Sequence, residues 1–190
     1  MSAVDHRRCL HRIPELDNQL PETAQYARSV LEPLGCKVFS PVTGSVCAWF
    51  DAGRSDTVAF RADMDALPVP EETGLPYASE HPGCMHACGH DGHMAMMLSL
   101  AEWTAEHVKE LPRNVLFLFQ PAEETTGGAR KLCESGVLER YRVRRIFGVH
   151  LWPGLPAGTV WSRPGPLMAR SNEVTVTVEG LSVHLSRAAE

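Results

Sequence analysis

Val115-Leu-Phe-Leu-Phe119 is apolar at every position, and a second apolar run, Arg145-Ile-Phe-Gly-Val149, follows after a helical stretch from Gly128 to Ser135. Side chains on a strand alternate between the two faces of a sheet, so a strand apolar throughout must be covered on both. Strand, helix, strand of this kind predicts an α/β fold: a mixed, mostly parallel sheet with helices on both faces. In such sheets functional groups gather just past the carboxyl ends of strands. The rest of the chain keeps the alternation. Pro21 to Leu34 places Ala24, Ala27, Leu31 and Leu34 on one helical face, with Pro21 suited to the first turn and Gly35 to the stop. Val38 to Phe50 reads as two short strands around Thr43-Gly-Ser, and Thr57-Val-Ala-Phe60 as another. A long Pro- and Gly-containing loop runs to Gly83, and long loops in compact domains are often functional. Met94, Met97, Leu98, Ala101, Ala105 and Val108 then follow helical spacing.

The mouth of that last helix carries the chemistry. Met85-His-Ala-Cys-Gly-His-Asp-Gly-His93 holds His86, Cys88, His90, Asp91 and His93, with Ala and Gly as filler. Thiolate, imidazole and carboxylate are the groups that a borderline-soft ion such as zinc prefers. A zinc finger separates two ligand pairs by a dozen or more residues; Cys84, Cys88, His90 and His93 are too crowded to close one tetrahedron. Some of them must serve as supports, caps or bystanders. Gln120-Pro-Ala-Glu-Glu124 follows the first apolar strand and Gly148-Val-His150 the second. Neighbours in an extended segment point apart, so of Glu123 and Glu124 one can ligate a metal while the other acts as a general base. The bland reading of that pair is favourable placement at a helix N-terminus. Asp63 and Asp65 can bridge metals, hold a ligand imidazole from behind, or simply stabilise a turn. His150 can be a ligand or a satisfied core histidine. Cys88 as an acyl-transfer nucleophile, with His86 or His90 as its base, leaves the glutamate pair unexplained.

Composition excludes several classes. The net charge of −5 is mild and gathers no basic face, so a nucleic-acid partner is not expected. No apolar run approaches membrane-spanning length, and the N-terminus lacks the apolar core of a secretory signal, so neither a membrane partner nor export is expected. Six scattered cysteines form no disulfide framework; buried or metal-bound thiols in a reducing cytoplasm are the simpler expectation. After about Pro166 the composition changes, and Asn172 to Glu179 alternates as a half-exposed strand. The expected division is residues 1–166, a metal-binding catalytic part, and 167–190, the start of a second domain.

Taken in order, His11-Arg-Ile-Pro-Glu-Leu16, Phe60-Arg-Ala-Asp-Met-Asp-Ala-Leu-Pro68, Thr73-Gly-Leu-Pro-Tyr77, the Met85 to His93 cluster, Gln120 to Glu124 and Gly148-Val-His-Leu-Trp-Pro153 resemble one family. It is the family of metal-dependent amidohydrolases and carboxypeptidases that includes hippurate hydrolases, auxin-conjugate hydrolases and N-acetyl-diaminopimelate deacetylases. The resemblance covers essentially the whole chain. It implies a zinc-exopeptidase-like fold, and a site for two divalent ions (zinc, manganese or cobalt) held by Cys88, His90, Glu124 and His150, with the thiolate bridging. It further implies Glu123 as general base and Asp65 as the residue that orients a ligand, with Asp63 close by. His184 resembles a lid-domain histidine that stabilises the oxyanion, often across the interface of a homodimer. Leu181, Ser182 and Val183 replace the glycine-rich lead-in commonest there, and Ala188 stands where proline often follows. The implied reaction is hydrolysis of the amide of an N-acyl amino acid or small peptide. Complete family members continue past the equivalent of Glu190, through the rest of the lid to a last histidine ligand. The chain therefore resembles their N-terminal part, and a metal-binding or interaction fragment without turnover is the alternative reading.

Overall fold

The computed structural model describes residues 1–125, 127–168 and 174–180. Met1–Trp152 forms one compact unit and Pro153–Glu190 a second. The first contains helices α1 (Ala3–Arg12), α2 (Pro21–Leu31), α3 (His90–His107), α4 (Gly128–Glu134) and α5 (Val137–Arg140). Its strands are β1 (Lys37–Phe39), β2 (Val46–Phe50), β3 (Thr57–Asp63), β4 (Asn114–Gln120) and β5 (Val143–Gly148). They form a mixed five-stranded sheet in the order β1-β2-β4-β3-β5. β1, β2 and β4 pair antiparallel, while β3 runs parallel to both β4 and β5. The mixed α/β sheet expected from the sequence is the one found.

Both faces are covered, and strand alternation decides which residue goes where. Val115, Phe117 and Phe119 of β4 join Val46, Ala48 and Phe50 of β2 beneath α1, α2 and α3, where Leu10, Ala27, Leu31, Met94 and Leu98 complete a buried cluster. Leu116 and Leu118 point the other way with Cys47 and Ala59, onto Leu132, Val137 and Tyr141 of the α4–α5 segment. A strand buried on both faces needs apolar residues throughout, which is why β4 carries them. β5 lies at the sheet edge, and its Ile146 and Phe147 are about half exposed.

Two helices begin in ways that the apolar pattern did not show. α1 starts on a reciprocal cap: the Ser2 hydroxyl accepts from the Asp5 amide, and the Asp5 carboxylate accepts from the Ser2 amide. α3 starts at His90, four residues before the apolar spacing begins, because Gly89 turns the chain with φ of +87°. His90, Asp91 and His93 therefore sit inside the first helical turn and are buried there. The expected helix from Pro21 ends in a short 3-10 turn, Glu32–Leu34, stopped by left-handed Gly35.

The strand expected over Asn172–Glu179 begins outside the described residues, and across Val174–Gly180 no strand is formed. Val174, Val176 and Val178 are all exposed. Alternation makes a strand only where a neighbouring strand and an apolar face receive it. Among the described residues no helix is long and apolar enough to cross a membrane. All six cysteines are free thiols; Cys47 is buried as expected, whereas Cys9 and Cys133 are exposed.

The loop after β4 is held by close approach. Ala122 adopts φ of +53°, and its carbonyl accepts from the amides of both Gly127 and Gly128. A Cβ on Gly128 would lie 1.9 Å from the Pro121 carbonyl oxygen, a backbone atom that cannot step aside. Gly128→Ala should therefore lower stability by about 1–3 kcal/mol, the usual cost of forcing a methyl into packed structure. Urea unfolding checks this; an unchanged midpoint and slope would show that the loop yields freely.

Candidate metal centre

Because β3, β4 and β5 run parallel, their carboxyl ends Asp63, Gln120 and Gly148 reach the same end of the sheet, and α3 starts there as well. Asp65, fully buried, ties three of these segments together. Its carboxylate accepts the Glu123 amide at 2.9 Å and the Glu124 amide at 3.0 Å. Its backbone carbonyl lies 2.7 Å from His90 Nδ1. A carbonyl only accepts, so Nδ1 carries a hydrogen, and in the neutral ring Nε2 keeps the lone pair. That Nε2 is buried with no hydrogen-bond partner. Around it lie Asp63 Oδ2 at 3.6 Å, Glu124 Oε1 at 3.7 Å and Glu123 Oε2 at 3.9 Å. Glu124 Oε1 is likewise buried without a hydrogen-bond partner.

His150 repeats the pattern. Its Nδ1 lies 2.7 Å from the Leu151 carbonyl, so Nε2 is the lone-pair nitrogen, and it sits 3.5 Å from Cys88 Sγ. Donor atoms of Cys88, His90 and His150 fall within 4.8 Å of one another, and so do those of His90, Glu123 and Glu124. Two adjoining donor sets thus share the His90 imidazole. Asp63, His90 and His93 form a third such group, but both nitrogens of His93 are occupied. Its Nδ1 is 2.6 Å from Asp63 Oδ1, and its Nε2 accepts the Leu151 amide at 2.8 Å.

The charge balance is lopsided. Arg61 donates to Asp63 Oδ2 and to Gln120 Oε1, both at 2.8 Å, and is the only lysine or arginine ion-paired to any carboxylate of these donor sets among the described residues. Burial opposes ionisation of Asp63, but the His93 hydrogen bond and the Arg61 charge prevail and hold it at about 2. Burial pushes the Cys88 thiol up to about 12, and the Glu124, Asp63 and Glu123 carboxylates push in the same direction. Burial and then Glu124 raise Glu123 above the usual carboxylate range, against the pull of His90. Soft and hard donors, lone pairs aimed inward and surplus negative charge are what divalent cations relieve, so these residues fit a metal pair.

Of the residues singled out in the sequence, Asp63, Cys88, His90, Glu123, Glu124 and His150 converge at this sheet end, with Asp65 beneath them. Asp65 acts on His90 through its carbonyl, while its carboxylate holds the backbone of the glutamates. His184 lies outside the described residues. His86 and Asp91 belong to a different cluster. The Asp91 carboxylate is 2.7 Å from both Arg7 Nε and His11 Nδ1, and His86 is buried and pushed down to about 4 by desolvation. Arg61 and the bridging geometry of His93 escaped the sequence reading. A lone arginine inside an apolar strand, and a histidine three positions after His90 on the same helical face, were the available signals.

Residues 59–189 match the sequence pattern of peptidase family M20/M25/M40. An uncharacterized hydrolase of Staphylococcus epidermidis is 42% identical over 183 residues, which is 95% of this chain and 48% of that protein. The crystal structure of a dinuclear metal binding peptidase of the M20 family from Bacillus subtilis is similar with a TM-score of 0.76. It is 44% identical, and the match covers 82% of this chain and 44% of that one. An aminobenzoyl-glutamate utilization protein from Klebsiella pneumoniae matches with a TM-score of 0.65 at 25% identity, over 83% of this chain and 45% of its own. The chain thus spans about half the length of these relatives. With six ordered motifs, the fold and the donor sets in agreement, this chain belongs to peptidase family M20/M25/M40.

Proposed function

We propose that the chain carries the metal-binding part of a dinuclear amidohydrolase that cleaves the amide of an N-acyl amino acid or small peptide. One observation carries this reading: two donor sets, Cys88/His90/His150 and His90/Glu123/Glu124, adjoin with His90 Nε2 and Glu124 Oε1 buried and unsatisfied between them. The description of the Bacillus subtilis relative as a dinuclear metal binding peptidase supports it. Cys88, His90, Glu124 and His150 would hold the ions, with zinc, manganese and cobalt all compatible with such mixed donors. When bound, the ions polarise the amide carbonyl and lower the pKa of an attacking water.

The chain's own residues do the rest. Asp65 clamps both glutamate amides in a turn, and both carboxylates reach His90 Nε2, Glu124 at 3.7 Å and Glu123 at 3.9 Å, rather than pointing apart as neighbours in an extended segment would. Glu124 is the less exposed, at 22% of its side chain, and suits a ligand. Glu123, at 42%, keeps an oxygen accessible from solvent. Its raised pKa brings it nearer neutrality, where a general base transfers protons most effectively. Glu123 takes the proton of the attacking water at its carboxylate and returns it to the nitrogen of the leaving amine. We further propose that His184 stabilises the oxyanion, from a lid domain beginning near residue 167 that also makes a homodimer interface. The rival reading is metal binding by the same donor sets without turnover.

Two outcomes are expected. In the chain supplied with zinc, manganese or cobalt, Glu123→Gln should keep its metal content, by elemental analysis, and cut hydrolysis of acetyl- or benzoyl-amino acids by about 10²–10⁴-fold. Metal binding with no turnover in the parent chain would favour the rival reading, and equal metal loss in Glu123→Gln and Glu124→Gln would contradict the division of roles. The second outcome concerns pH. With its pKa near 12, the Cys88 thiol is protonated at neutrality, and a bound cation must expel that proton. Metal uptake should therefore release at least one proton per chain and tighten as pH rises from 6 to 8 (about tenfold per pH unit per proton). Calorimetry in buffers of different ionisation enthalpy reads this directly; a buffer-independent heat would mean that the thiol stays out of the shell.

A further inference from the structure

β5 ends at Gly148, so His150 lies two residues beyond the last ladder position. Its ring hydrogen bond is to the carbonyl of its own neighbour, Leu151, which cannot by itself place the pair relative to α3. What places them is His93. The ring is fully buried, reaching Asp63 Oδ1 at 2.6 Å through Nδ1 and receiving the Leu151 amide at 2.8 Å on Nε2. An amide N–H only donates, so Nε2 must be the unprotonated nitrogen and Nδ1–H must face the carboxylate. The His93 ring also meets the His150 ring edge to face, with centroids 4.5 Å apart. The Leu151 side chain lies against Gly92 and Gly89. Asp63 is itself fixed by Arg61 at 2.8 Å. The path Arg61–Asp63–His93–Leu151 thus runs from β3 through α3 to the residue next to His150.

We propose that His93 is a positioning residue: a neutral, non-ligating imidazole that fixes the Leu151 backbone and so aims His150 Nε2 at the metal it shares with Cys88. The proposal rests on the reading of His150 as a ligand. It removes the Asp63/His90/His93 group from the possible metal sites, since neither nitrogen of His93 is free. Outer hydrogen bonds of this kind typically change metal affinity by about 10–100-fold.

The test compares zinc affinity, by chelator competition, in the 190-residue chain and in His93→Asn, His93→Gln, His150→Ala and the His93→Asn/His150→Ala double variant. Asparagine can still donate to Asp63 but is too short to reach the Leu151 amide; the glutamine oxygen can reach it. His93→Asn should weaken binding by about 10–100-fold, His93→Gln should recover most of that, and His93→Asn should add nothing once His150 is gone. Ring ¹⁵N shifts of the parent chain, which depend on no variant folding, should show His93 protonated at Nδ1 alone. The proposal is overturned by an Nε2-protonated His93, by parent-like zinc affinity in His93→Asn while His150→Ala is weakened, or by independent, multiplying losses in the double variant. Parent-like affinity in His150→Ala would overturn the ligand reading itself, and this proposal with it.

Discussion

Asp65 is the interaction on which the metal-facing end of the sheet depends. One buried residue satisfies the His90 ring through its carbonyl and two consecutive amides of the Glu123–Glu124 loop through its carboxylate. The next residue, Ala66, donates its amide to the Glu15 carbonyl and joins the N-terminal segment to the same point. Hydrogen bonds to a charged acceptor are worth about 1.5–3 kcal/mol each, and a buried carboxylate left without them would be far more costly. The strand end, helix start and glutamate loop are therefore all tied to this one residue. Remove this carboxylate, and two backbone amides of the glutamate loop lose their acceptor.

The same economy explains why so many ionisable groups can share so small a space. Each is either paired from behind or aimed at a common centre. His90 and His150 give their Nδ1 hydrogens to carbonyls and keep Nε2 for the centre. His93 spends both nitrogens on Asp63 and Leu151. What remains unsatisfied, His90 Nε2 and Glu124 Oε1, is what a cation would take up. The high pKa of Cys88 is the counterpart of that need: negative neighbours and burial keep the proton on the sulfur in the absence of positive charge.

Apolar patterning made β4 and the body of α3 legible, because their burial rests on apolar side chains at strand and helix periods. It could not reveal α1, whose buried residues are His6, Leu10 and His11 and whose docking is polar: Arg7 and His11 bind Asp91 of α3. The first turn of α3 was hidden for the same reason, since His90, Asp91 and His93 are buried through hydrogen bonds and interrupt the apolar period. α5 is only four residues long, too short for any period to register. The alternating Val174, Val176 and Val178 misled in the other direction: among the described residues nothing pairs with them, and they form no strand there. At the site, residue types and spacing disclosed the donors. They did not disclose the hydrogen-bond partners that set each ring's tautomer, because those partners are backbone carbonyls and amides from distant segments.

On the proposed function, this sheet end binds divalent metal through Cys88, His90, Glu124 and His150. Anomalous diffraction from crystals of the chain grown with zinc tests it most directly. Metal is expected within about 2.0–2.3 Å of Cys88 Sγ, His90 Nε2, a Glu124 oxygen and His150 Nε2, with His93 outside bonding distance. Metal bound only at surface histidines such as His107, or coordinated by His93, would contradict it.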